Sequence, residues 1–178
     1  MYEPYGGNVD PSGVTNAYAN GARQNGAEIY RFTPVTGTEQ LSDKSWLIKT
    51  DKGNIKTEVV INAAGLWGRE VGKMAGLDLP LLPAEHQYFV TETIPEIESI
   101  GRRLPSIADR DGEYYLRQEG NGLLVGAYEK DVKLWAELET PSGVGHELFP
   151  DDLDRIEENV LRAISRVPVL GGAGIKRV

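Results

Sequence analysis

The chain has 178 residues, no cysteine, two histidines and a formal net charge of −8. That acidity argues against nucleic acid or an anionic membrane as partner. The missing thiols exclude disulfides, thiol nucleophiles and Cys-based zinc sites, and two histidines make a His-rich metal site a poor expectation.

A chain of this length can bury roughly 70% of its unfolded surface, enough for one domain or two lobes. No apolar run comes near the roughly 18 residues of a membrane span. The N-terminus, MYEPYGGNVDPSG, is polar and acidic, unlike a signal peptide. The expectation is therefore a cytoplasmic protein with no membrane segment.

Asp10-Pro11 is a helix start, with Asp as cap and Pro in the first turn. Val14, Ala17, Tyr18 and Ala22 follow at helical spacing, and Asn25-Gly26 is the stop. Strands are expected over 27–35, 45–50 and 55–64, the last two joined by a turn at Asp51-Lys52-Gly53. The last strand ends in Asn62-Ala63-Ala64-Gly65 and runs into a short helix, LWGREVGKMA, closed by Gly76. Two prolines in LDLPLLP (77–83) mark a boundary. Beyond it HQYFVTET (86–93) alternates, and 113–129 reads as two strands around Asn121-Gly122. Over 151–167 a helix is expected, with Leu153, Ile156, Val160, Ile164 and Val167 on one apolar face and Pro168 after its end. The fold expectation is α+β: a partial α/β lobe over residues 1–80, then an antiparallel or mixed sheet with flanking helices over 81–178.

Three stretches carry chemistry. Small residues at the carboxyl end of a strand, as in NAAG, let a ligand approach the backbone. Close helix packing through Gly68 and Gly72 explains the same pattern equally well. Strand alternation puts His86 and Tyr88 on one face, where a histidine that titrates near neutrality can hold or move a proton. His146 is the weaker candidate, lying in the glycine-rich SGVGHE. On EYYLRQ, alternation sets Glu113, Tyr115 and Arg117 together. A phenol and a guanidinium there suit a small zwitterion, because Arg grips a carboxylate bidentately; a solvated face with a Glu113–Arg117 pair is the plainer alternative. The sequence has no Gly-x-Ser-x-Gly elbow, no Walker loop and no Gly-x-Gly-x-x-Gly fingerprint.

VVINAAGLWGREVGKMAGLDLPLLPAEHQYFVTETIPEI, then LPSIADRDGEYYLRQEGNGLLVGAYE, resembles the dimethylglycine and sarcosine dehydrogenases. These are FAD-dependent amine oxidoreductases of the D-amino-acid-oxidase-like superfamily. GGNVDPSGVTNAYANGARQNGAEI and DDLDRIEENVLRAISRVPVL are similar to family segments on either side, so the resemblance covers nearly the whole chain. It implies that Thr33-Pro34-Val35 lies against the adenine of FAD, and that Ala63, Ala64, Gly65 and Trp67 form a loop close to the cofactor. It also implies a substrate pocket of His86, Tyr88, Tyr115 and Arg117, in which His86 and Tyr115 orient an N-methyl amino acid during hydride transfer to the flavin. The resemblance leaves the acceptor open between oxygen and an electron-transfer flavoprotein. The family's dinucleotide fingerprint and its C-terminal flavin-closing segment have no counterpart here. The expectation is thus a middle piece of such an enzyme that alone holds FAD weakly or not at all and forms a homodimer. A non-catalytic binding module derived from the family is the alternative.

Overall fold

A computed structural model describes residues 3–145 and 148–178, so His146 lies outside the described residues. Helices and antiparallel strands divide between two compact units. One comprises Val9–Pro83 with Trp135–Gly145. The other comprises the residues up to Asn8, Ala84–Leu134 and the C-terminal stretch ending at Val178.

In the first of these, α1 (Pro11–Gln24) starts where the Asp10 carboxylate accepts the Gly13 amide at 2.5 Å. Gly26, at φ +88°, follows its end. None of its residues is buried. Strands β1 (Val35–Gln40), β2 (Trp46–Thr50) and β3 (Gly53–Thr57) form an antiparallel sheet in that order. A two-residue turn between Thr50 and Gly53 joins β2 to β3.

Two strand expectations need correcting. Residues 27–34 form no strand, and the strand expected over 55–64 stops at Thr57. Val59 and Ile61 are left 69% and 84% exposed. A strand exists only where another satisfies its N–H and C=O groups. Among the described residues no strand pairs with either stretch, so their β-branched composition finds no ladder.

A single 3₁₀ turn, Gly65–Trp67, leads into α2 (Gly68–Met74). A Cβ on Gly72 would lie 2.8 Å from the Leu79 side chain and one on Gly68 3.2 Å from Leu81, so these two glycines serve close packing. Arg69, buried, donates to the carbonyls of Ala136 at 2.9 Å and Glu137 at 2.8 Å. Glu70 accepts the Thr140 amide at 2.9 Å. Together they fasten the 136–140 segment to α2.

The other unit holds β4 (Ala84–Glu85), β5 (Tyr88–Thr91), α3 (Pro95–Ser99), β6 (Ile107–Asp109), β7 (Tyr114–Glu119), β8 (Gly122–Ala127), β9 (Lys133–Leu134), α4 (Glu157–Arg166) and β10 (Ile175–Arg177). Five strands make an antiparallel sheet in the order β10-β5-β8-β7-β6, and β4 pairs separately with β9. The β7–β8 loop is Gly120-Asn121, one residue earlier than expected, since Glu119 pairs with Gly122. Gly120 supplies the positive φ, +60°, that the first position of a type II′ turn requires. The 151–167 helix begins as a 3₁₀ turn, Leu153–Ile156, before α4.

Alternation along these strands separates two faces. Phe89, Tyr114, Leu116, Leu123, Val125 and Ala127 point to one, where Ile156, Ala163 and Leu170 cover them. Among the described residues no helix is long and apolar enough to cross a membrane.

Candidate functional site

The opposite face of the same sheet carries the polar aromatic residues. Register fixes this directly: Tyr88 pairs with Gly126, Gly126 with Tyr115, and Tyr115 with Ala108, so all four project to one side. His86, two residues before Tyr88, and Arg117, two after Tyr115, follow by the period of two. Gly126 sits at the centre because the Tyr115 ring occupies the space where its Cβ would be.

Sequence reasoning missed Tyr128, which brings these groups together. Its ring lies 6.0 Å from the His86 ring at an edge-on 74° and 5.5 Å from the Tyr115 ring. Both distances are those of favourable aromatic pairs. The signal was available in GAYE, where Tyr128 stands two residues beyond Gly126. On one side of Tyr128 a cleft of about 290 Å³ is lined by Ala108, Asp109, Arg110, Glu113, Tyr114 and Tyr115. A separate cleft of about 290 Å³ is lined by His86, Tyr88 and Phe149, among others. Burial, then the neighbouring Tyr128, push the Tyr115 hydroxyl above its ordinary pKa, and Arg117 pulls it down only in part. Near neutral pH Tyr115 is therefore a phenol able to donate a hydrogen bond.

Two polar partners complete the arrangement. His86 Nδ1 is 3.2 Å from Glu129 Oε2, whose carboxylate is 2% exposed. Gln87 points the other way, accepts the Asp152 amide at 3.2 Å and so holds the segment that leads to Arg155. Arg117 pairs with Glu119 at 2.5 Å, whereas Glu113 turns to Lys130 and Arg162, so the anticipated Glu113–Arg117 pair is replaced. Glu113 stands at φ +55°, before the strand begins at Tyr114, so strand alternation does not govern it.

The NAAG segment lies in the other unit. Ala63, Ala64 and Gly65 offer nothing larger than a methyl group, and Ala63 and Gly65 are exposed. A Cβ on Gly65 (φ +53°) would meet nothing within 4 Å. An open turn of small residues fits the close approach of a flavin nucleotide. Pro34 and Val35 are exposed as well. Trp67 has a structural partner: its indole N–H donates to the Pro141 carbonyl at 2.9 Å. Among the described residues no cluster of metal-ligating side chains occurs.

Comparison with known proteins gives the family. The FAD-dependent oxidoreductase (DAO) family profile matches residues 1–178, and the chain belongs to that family. It is 47% identical to the mitochondrial dimethylglycine dehydrogenase of Rattus norvegicus over 180 residues, covering 98% of this chain and 21% of that enzyme. It is 36% identical to the mitochondrial sarcosine dehydrogenase of Homo sapiens, covering 99% of this chain and 19% of that enzyme. Among solved structures, the L-proline dehydrogenase of P. horikoshii superposes with a TM-score of 0.70 at 26% identity, over 95% of this chain and 42% of that one. The chain thus spans about a fifth of the length of these curated relatives. Both are mitochondrial, which overturns the cytoplasmic expectation.

Proposed function

We propose that this chain carries the substrate pocket, and part of the FAD-binding surface, of an oxidoreductase that demethylates N-methyl amino acids of the dimethylglycine and sarcosine type. The observation that carries the proposal is the row His86, Tyr128, Tyr115 on one sheet face, in a sequence 47% identical to a dimethylglycine dehydrogenase. The substrate lobe is the unit of Ala84–Leu134 and the C-terminal stretch ending at Val178, so the boundary expected at residue 80 falls at Pro83 and Trp135–Gly145 leaves this lobe. Within it His86 and Tyr115 touch the amine and the carboxylate end of the substrate, Tyr88 extends the wall, and Arg117 supplies positive charge once it leaves Glu119. Val9–Pro83 contribute to the FAD lobe through Pro34, Val35, Ala63, Ala64, Gly65 and Trp67. When bound, FAD supplies the two-electron acceptor that oxidation of a methylamine requires. The chain's own residues bind the amino acid, exclude water from one side of it and donate or accept protons at His86 and the Tyr115 hydroxyl.

A chimera tests this reading: the matching segment of the rat dimethylglycine dehydrogenase is replaced by residues 1–178 and assayed with dimethylglycine. The expected outcome is dye reduction with release of formaldehyde, lowered at least about tenfold in kcat/KM by His86→Ala, the loss of one hydrogen bond to a charged group. A chimera that holds FAD yet turns over no N-methyl amine rejects the reading.

A further inference from the structure

His86 reaches the proposed pocket only on its Nε2 side, because its other nitrogen faces Glu129. That carboxylate is nearly sealed from solvent, and its second oxygen, Oε1, lies 3.5 Å from Arg155 Nη2. Arg155 is itself nine-tenths buried, with Nε 3.5 Å from Asp152 and no hydrogen bond made by Nε, Nη1 or Nη2. A buried carboxylate is retained where an opposite charge and a specific donor face it. Here the charge comes from Arg155 and, among the described residues, the donor is His86. Neither residue touches the two clefts, so substrate contact does not account for them.

We infer that Glu129, backed by Arg155, is a positioning residue that fixes the tautomer of His86. A carboxylate opposite an arginine only accepts hydrogen bonds, so in the neutral ring Nδ1 carries the proton and Nε2 keeps its lone pair. The half-exposed ring then presents Nε2 as the acceptor. Resting on the proposed function, this gives His86 one proton step. The N–H bond of the substrate ammonium breaks, an Nε2–H bond forms, and the neutral amine keeps the electron pair it needs for oxidation. The imidazolium so formed has Glu129 at 3.2 Å to balance it. Gln87 contributes indirectly, since its hydrogen bond to the Asp152 amide sets the turn that delivers Arg155. Adjacent letters of the HQY motif thereby supply the base and the anchor of its counter-charge.

Nitrogen NMR of the histidine rings in the 178-residue chain tests the inference without flavin or substrate. Only two histidines are present, so His146→Asn assigns the signals. The expected result at neutral pH is a protonated Nδ1 with a downfield, unprotonated Nε2 for His86. Glu129→Gln keeps an accepting oxygen and retains that pattern. Glu129→Leu moves the downfield signal to Nδ1 as the ring reverts to the Nε2–H tautomer. An Nε2–H tautomer in the unsubstituted chain overturns the inference, even if the leucine variant fails to fold. So does an unchanged pattern in a folded leucine variant. In the chimera, Glu129→Leu is expected to lower kcat/KM about tenfold while Glu129→Gln restores most of it. A correct tautomer in a chimera that turns over no N-methyl amine sinks the proposed substrate class and leaves the tautomer assignment standing.

Discussion

At the scale of single residues, the site depends on a side chain that is missing. Gly126 pairs with Tyr88 on one side and Tyr115 on the other, and the Tyr115 ring fills the volume above its Cα. Adding a methyl group there forces the ring off its position, and overpacking of this kind costs about 1–3 kcal/mol. Gly126→Ala is expected to lower the urea unfolding free energy of the chain by that amount and to weaken the Tyr115–Tyr128 contact, seen as altered near-ultraviolet tyrosine ellipticity. Gly143→Ala, where a Cβ meets nothing within 4 Å, is the control and is expected to change neither. Equal stability of the two variants contradicts the packing argument.

At the scale of elements, α4 is tied to the β6–β7 turn by one buried amide. Asn159 is 5% exposed and donates Nδ2 to the carbonyls of Glu113 at 2.9 Å and Gly112 at 3.3 Å. Asn159→Ala leaves both carbonyls without that donor and is expected to cost about 1–3 kcal/mol in urea unfolding. A loss under about 0.5 kcal/mol shows instead that water replaces the amide. The element scale also shows what could be read from the residues. Alternation in EYYLRQ was enough to put Tyr115 and Arg117 on one face, because one strand's faces follow from its own sequence, whereas Glu113, grouped with them, precedes the strand. The pairing of His86 with Glu129 was not legible, since 43 residues separate them and only sheet register brings them together. The 58–64 stretch failed for a related reason. Its composition suits a strand, but pairing is a property of the neighbour. Sequence could not decide between ligand approach and helix packing in NAAGLWGREVG; the structure divides the stretch, with Gly68 and Gly72 packed against leucines and Ala63–Gly65 left open.

At the scale of the whole molecule, apolar burial is distributed very unevenly. Among the described residues, the buried hydrophobic side chains lie in the unit built on the five-stranded sheet, with Ala136 alone in the other. Burial is the dominant favourable contribution to folding, so the two units should not melt together. Acid widens the gap. In the poorly buried unit, hydrogen bonds from Lys49, from Lys56 and from the Thr140 amide hold Glu39, Asp43 and Glu70, in that order, below the ordinary carboxylate range. In the other, the Gly112 amide does the same for Asp109. A carboxylate with a depressed folded pKa stabilises fully above its ordinary value, 4.5 for Glu and 3.8 for Asp, and loses that contribution as pH falls toward the folded value. Glu39 and Asp43 are half exposed, so solvent screening keeps their shares small and Glu70 matters most. Between pH 7 and about 5 these contributions stay intact while the net charge of −8 diminishes, so stability there should hold or rise slightly. All three tryptophans, Trp46, Trp67 and Trp135, belong to the poorly buried unit, so their emission reports it selectively. The expected outcome is a tryptophan transition at lower urea than the loss of β7 and β8 amide signals in NMR. Lowering the pH from 7 to 4 should move the tryptophan midpoint down further than the amide midpoint. Coincident transitions at both pH values contradict both the uneven burial argument and the assignment of Glu70 as the main acid-sensitive group.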